Sequence, residues 1–294
     1  MMHRRLPSWF TQKIPEPAAM HDMEKLLRKK GLHTVCESAL CPNMGQCFAR
    51  RTATFMILGD TCTRRCTFCA VKKGMPVAPD EEEPQRICEA TRALGLRYVV
   101  ITSVTRDDLA DGGASQFAQT LKALHEEDRD IGVEVLIPDF CGSVESLKTV
   151  ILAGPQVINH NVETVPRLYN KVRPQAECAR SVRLLSTVKE LDPNIVTKSG
   201  LMVGLGETKG EVIGVMKDLR KADCDLLTIG QYLQPSPNHH QIVYFVTPEE
   251  FGEYETIGLD LGFKAVASGP LVRSSYKAAE LYKKVRFLYP LFHG

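Results

Sequence analysis

The stretch Gly59-Asp-Thr-Cys-Thr-Arg-Arg-Cys-Thr-Phe-Cys-Ala-Val71 places Cys62, Cys66 and Cys69 in one short loop, spaced C-x3-C-x2-C. The apolar run Phe55-Met-Ile-Leu58 precedes it and reads as a strand. A loop of this kind wraps three thiolates around one corner of an iron–sulfur cube, whose full ligation takes four cysteines. The next cysteine, Cys88, falls inside a helical pattern, so no fourth ligand is at hand. One iron is then left open, the arrangement of a catalytic rather than a closed structural centre. Structural zinc takes four ligands from paired knuckles and fits this spacing poorly. Buried unligated cysteines are the other reading. They do not explain three cysteines within eight residues, flanked by Arg64, Arg65 and threonines.

Outward from this loop, strand and helix patterns alternate. Apolar runs at 55–59, 98–103, 132–137, 157–163, 196–205 and 226–233 are followed by amphipathic patterns near 84–94, 114–128, 143–152, 177–191, 209–222 and 248–261. Six βα units imply a parallel sheet with right-handed crossovers. The expected fold class is α/β, an open partial (β/α)6 barrel whose chemistry lies at the C-terminal ends of the strands. The cysteine loop follows the first strand and falls at that end. The expected organisation is an N-terminal extension over 1–54, the barrel over 55–268 and a C-terminal extension over 269–294.

Length and composition agree with one large α/β unit: 294 residues, 44% hydrophobic. The net charge of +2 argues against a nucleic-acid or membrane-surface protein. No apolar run is long enough to span a bilayer, and Met1-Met-His-Arg-Arg5 leads into no apolar segment of a secretory signal. Ten cysteines in such a chain point to metal and a reducing cytoplasm rather than to disulfides.

The N-terminal extension begins with a helix expected over 16–30, stopped by Gly31. A second cysteine group follows, Cys36-Glu-Ser-Ala-Leu-Cys-Pro-Asn-Met-Gly-Gln-Cys47, spaced C-x4-C-x5-C in an irregular loop. It reads as a small zinc knuckle or as a second iron–sulfur cluster. The strand ends add polar groups. Thr102-Ser-Val-Thr-Arg-Asp-Asp108 follows the second strand, and Asn159-His-Asn-Val-Glu163 ends the fourth. A polar run of that kind needs partners if buried, and a ligand with hydroxyls and an amine supplies them. Thr102, Ser103, Asn161 and Glu163 are the candidates there, with Arg173, Arg183 and Lys198 as carboxylate partners. His239 and His240 lie in a Pro-rich loop. The chain closes with Arg273-Ser-Ser-Tyr276 and a basic helix carrying Lys277, Lys283, Lys284 and Arg286. That helix is a candidate docking face for an acidic partner.

The C-x3-C-x2-C loop with Phe68 before its last cysteine resembles the cluster loop of the radical S-adenosylmethionine enzymes. Both cysteine groups, Arg273-Ser-Ser-Tyr276, the 102–108 and 159–163 runs and Gln231-Tyr-Leu-Gln-Pro-Ser236 together resemble the lipoyl synthase family, from about position 7 to position 280. Lys277 stands where that family's pattern leads one to expect histidine.

The resemblance implies two [4Fe-4S] clusters. Cys62, Cys66 and Cys69 would hold the radical cluster, whose open iron chelates S-adenosylmethionine. Cys36, Cys41 and Cys47, with Ser275 as an oxygen ligand, would hold an auxiliary cluster that is dismantled to supply sulfur. The implied reaction inserts sulfur at C6 and C8 of an octanoyl chain on a lysine of a lipoyl carrier domain or of the glycine-cleavage H protein. A low-potential electron donor and an iron–sulfur cluster carrier are the further partners it implies. Two rival readings remain: another radical sulfur-inserting enzyme resembling biotin synthase, and a non-enzymatic two-cluster electron carrier.

Overall fold

The computed structural model describes residues 6–11, 17–49 and 52–288. Its frame is one eight-stranded sheet in sequential order, made of β1 (His33–Thr34), β2 (Thr54–Ile57), β3 (Tyr98–Ser103), β4 (Gly132–Leu136), β5 (Val157–Asn159), β6 (Val196–Val203), β7 (Leu226–Gln231) and β8 (Ala265–Gly269). Every neighbouring pair is parallel except β1 with β2. Among the described residues the two edge strands do not pair with each other, so the sheet stays open.

Apolar side chains of these strands supply the core, with Phe55, Ile57, Val99, Ile101, Val133, Val135, Ile158 and Ile229 all fully buried. Helices cover the sheet between strands: α2 (Glu83–Leu94), α3 (Ala114–Glu127), α4 (Val144–Leu152), α5 (Cys178–Leu191), α6 (Lys209–Lys221) and α7 (Pro248–Asp260), preceded in the chain by α1 (Pro17–Lys29). Local chemistry sets their ends. Gly95 closes α2 at φ +65°, and Thr208 with Glu211 and Thr247 with Glu250 form capping boxes at the starts of α6 and α7. The helix expected over 16–30 is α1; position 16 itself lies outside the described residues.

Three differences from the sequence reading matter. A seventh parallel strand, β8, follows the sixth unit and pairs with β7 from Ala265 to Gly269. Its sequence, Ala-Val-Ala-Ser-Gly, is short and small-residue-rich, so it gives little strand signal. The strand expected over 157–163 stops at Asn159; the chain beyond it stays against β6, with His160 N–H donating to Lys198 O at 3.0 Å and an isolated parallel bridge between Glu163 and Leu201.

The third difference concerns the basic terminal helix, α8 (Ala278–Leu288). Leu281, Tyr282 and Val285 pack on Val157, Val196, Leu226 and Ala265, the first residues of four consecutive strands. Burying each such side chain contributes roughly 1.5–3 kcal/mol. α8 therefore plugs the N-terminal end of the barrel, opposite the cysteine loop, and Lys283 and Lys284 face away from the chemistry.

Next to α8, Lys198 lies fully buried beside Glu134 at 2.7 Å, and the Tyr98 hydroxyl and Asn159 amide donate to the same carboxylate. Neutralising either partner alone would leave an uncompensated buried charge. This corrects the assignment of Lys198 as a ligand-binding residue. Early in β6, its side chain belongs to the closed end.

Candidate functional site

The cysteine loop leaves β2 through two left-handed residues, Leu58 at φ +67° and Gly59 at φ +86°. A parallel bridge between Thr61–Cys62 and Lys72–Lys73 then closes its base. The loop is fixed to the segments that follow β3, β5 and β7. Thr63 N–H donates to Thr105 O at 3.0 Å, Thr67 N–H to Val172 O at 3.0 Å and His240 N–H to Thr67 O at 2.9 Å. His239 bonds Ser236 Oγ through Nδ1 at 2.8 Å and Cys69 O through Nε2 at 3.1 Å. Both ring nitrogens of His239 are thus engaged as clamps, and His240 Nε2 bonds Leu205 O.

Arg64 is the strongest anchor, and the sequence did not mark it out from its neighbour Arg65. It is 4% exposed and reaches Asp107 at 2.7 Å and Asp139 at 2.5 Å. Burial pushes the Asp139 carboxyl up, but Arg64 more than offsets this and lowers it to about 2. A carboxylate depressed in the folded state stabilises fully above its unfolded value, and that contribution is lost as pH falls through about 2. Replacing Asp139 by Ala is expected to cost about 3 kcal/mol at pH 7, the low end for breaking a buried pair because Asp107 remains. Urea unfolding at stepped pH checks this; the gap between parent and variant should narrow from pH 4 downward.

The loop forms one wall of a cavity of about 490 Å³, within the usual range for small-molecule sites. Cys62, Cys66 and Cys69 line it, and so do Cys36 and Cys41 of the other cysteine group and Ser275 of the C-terminal segment. Cys47 is half-buried and within electrostatic reach of Cys36, as Cys41 is. Burial raises Cys36 and Cys69 to about 12 and raises Cys66 as well. Thiols held this way are protonated until a metal displaces the proton.

Among the described residues, no three histidine, cysteine or acidic side chains converge as ligands of a single ion. A cubane has a different requirement, since each thiolate holds its own iron and the sulfurs stand apart around an open space. Three cavity-facing thiols fit such a cluster, and the acid of their loop, Asp60, accepts from the Thr61 hydroxyl at 2.8 Å and does not line the cavity. The Asn43 amide donates to Leu271 O at 2.6 Å and ties the N-terminal cysteine loop to the C-terminal segment.

The remaining candidates divide. Thr102, Ser103, Asn161, Glu163 and Arg173 all line the cavity. Thr102 gives its hydroxyl to Leu136 O at 3.0 Å. Ser103 Oγ and Arg173 Nε are buried without a partner, although Arg173 Nη1 donates to Asn161 O and Val162 O. Orphaned polar atoms in a cavity wall call for a polar ligand. Glu163 is held at φ +63°, a conformation unusual for a branchless acid outside a functional site. Arg183 is exposed on α5 and lies outside the cavity, which corrects its assignment. Within the polar run 159–163, Asn159 turns to Glu134, and His160 is buried between Ile137 O and Ser181 Oγ.

A partial parallel barrel with three thiols in the loop after its first long strand defines a radical S-adenosylmethionine enzyme. The sequence profile of the radical SAM superfamily matches residues 56–219. Beyond the superfamily, this chain belongs to the lipoyl synthase family. The lipoyl synthase of Caldanaerobacter subterraneus subsp. tengcongensis is 62% identical over 274 residues, covering 93% of this chain and 96% of that protein. That of Aquifex aeolicus is 57% identical over 261 residues, 89% of this chain and 95% of its own. Among solved structures, HydG, a maturase of the [FeFe]-hydrogenase, aligns with a TM-score of 0.57 at 13% identity over 81% of this chain and 60% of its own. Streptococcus suis SuiB bound to precursor peptide SuiA gives 0.57 at 12% identity over 92% and 58%. At such identities these two show the fold alone.

Proposed function

We propose that this chain inserts two sulfur atoms, at C6 and C8, into an octanoyl chain amide-linked to a lysine of a lipoyl carrier protein. The sulfur would come from a second, auxiliary [4Fe-4S] cluster, which is a substrate of the reaction. What supports the reading is a single cavity lined by members of both cysteine groups together with Ser275. A carrier of electrons alone has no use for a shared ligand-sized cavity.

Cys62, Cys66 and Cys69 would hold the radical cluster, and Cys36, Cys41, Cys47 and Ser275 the auxiliary one. When bound, the radical cluster and S-adenosylmethionine supply reductive sulfonium cleavage and hydrogen abstraction from an unactivated carbon. The chain's own residues bind, orient and exclude water. Arg173 offers its free Nε to a carboxylate, and Ser103 Oγ, Asn161 and Glu163 face the same ligand. Leu136, Ile137, Leu201 and Met202 give the cavity apolar walls that suit an alkyl chain. The serine oxygen is a harder ligand than thiolate and makes a labile corner, suited to a cluster that is dismantled.

The organisation proposed with this function is an N-terminal segment 1–54, a barrel 55–268 and a C-terminal segment 269–294. β8 crosses the last boundary, so that boundary marks role rather than sheet membership. No helix among the described residues is long and apolar enough to cross a membrane, and we place the reaction in the cytoplasm. The partners proposed are octanoylated lipoyl domains or the glycine-cleavage H protein, a low-potential electron donor and a cluster carrier that rebuilds the auxiliary site.

Metal content tests the ligand assignment. Anaerobic reconstitution should give about eight irons and as many sulfides per chain. The Cys62→Ala, Cys66→Ala, Cys69→Ala triple variant should retain about half, still with a cluster spectrum. Stoichiometric zinc in anaerobically purified protein, with no iron at the N-terminal group, would exclude the auxiliary cluster.

A further inference from the structure

The adjacent serines of Arg273-Ser-Ser-Tyr276 have different surroundings. Ser274 Oγ donates to Asn161 Oδ1 at 2.7 Å, and the Asn161 amide in turn donates to Glu163 Oε1 at 3.1 Å. Asn161 and Glu163 follow β5, while Ser274 follows β8, 113 residues away in the chain. The junction sits over Gly200 in β6. A Cβ at position 200 would meet Thr228 Oγ1 at 2.5 Å, Asn161 Oδ1 at 2.9 Å and Ser274 Oγ at 3.2 Å. Gly200 therefore leaves the space in which the two side chains meet. Without Ser274, Asn161 Oδ1 would lose its protein donor, and the amide could turn away from Glu163. Arg173 and Arg273 both lie within electrostatic reach of Glu163, so the carboxylate sits in a cationic corner that does not by itself fix its rotamer.

We infer that Ser274 is a positioning residue for S-adenosylmethionine: through Asn161 it orients Glu163 toward the nucleoside or amino-acid part of the ligand. Its neighbour Ser275 serves the auxiliary cluster. This rests on the function proposed above. It assigns the two serines to two different groups and makes the C-terminal segment a strap between them, since Leu271 of the same segment accepts from Asn43 in the N-terminal cysteine loop.

Binding of S-adenosylhomocysteine to the reconstituted protein, read by calorimetry beside iron content, tests the assignment. Ser274→Ala should raise the Kd about tenfold, the loss of one hydrogen bond, with iron content equal to the parent. Ser274→Thr, which keeps the hydroxyl, should restore most of the affinity. Ser275→Ala should show the reverse: reduced auxiliary iron with a near-parental Kd. Across the reconstituted Ser274→Ala, Asn161→Ala and double variants the effects on Kd should be non-additive, because the two groups are bonded. Gly200→Ala should raise the Kd as Ser274→Ala does. Parental affinity in Ser274→Ala, iron loss matching that of Ser275→Ala, or an additive cycle would each overturn the positioning role. A parent protein that loads both clusters but does not bind S-adenosylhomocysteine would overturn the site reading and this inference together.

Discussion

With Cys36, Cys41 and Cys47 all replaced by Ala, 5′-deoxyadenosine should still form from S-adenosylmethionine and reductant, while thiolated octanoyl product should fall to background. The structure gives the reason for the split. The loop 62–69 is anchored by Thr105, Asp107, Asp139, Lys171, Val172, Gln175, His239 and His240, and none of these belongs to the N-terminal segment. Removing the other cysteine group therefore leaves the radical site assembled. Ser275→Ala should be a milder version, since water or hydroxide can replace one oxygen ligand. Cys66→Ala should abolish both activities, because two thiolates hold the cube poorly. Quantifying 5′-deoxyadenosine and thiolated peptide in the same anaerobic turnover reads both halves. Product formation by the N-terminal triple variant would contradict the division of labour.

The fold was legible because six apolar runs alternate with six amphipathic ones, and period and length separate the two kinds of element. Strand β8 was not, because Ala265-Val-Ala-Ser-Gly269 is held by pairing with β7 rather than by its own propensity. The cysteines of the site were legible because thiols at fixed short spacing carry their chemistry locally. Long-range partners were not. Arg64 and Arg65 are neighbours of the same type, yet one is buried between two aspartates and the other is exposed. Nothing local distinguishes them; Asp139, 75 residues on, does. Lys198 shows the opposite error. A lysine in a buried strand suggests a ligand, but position along β6 decides which end of the barrel it serves, and Glu134 on β4 already neutralises it.

The placement of α8 also bears on substrate entry. With Leu281, Tyr282 and Val285 closing the N-terminal end of the barrel, the proposed acyl-lysine arm would reach the cavity from the side of the two cysteine loops. Leu40, 65% exposed beside Cys41, is at that rim. The cations of α8, Lys283 and Lys284, are exposed on the far side.

In the proposed reaction the auxiliary cluster is consumed as the source of sulfur. Reconstituting that cluster with isotope-labelled sulfide, then running a single turnover on an octanoyl-lysine peptide without free sulfide, decides whether it is. Mass spectrometry of the product should find the label at both C6 and C8, with auxiliary iron released in step with product. Unlabelled product, with the labelled sulfide still in the protein, would rule out a sacrificial cluster.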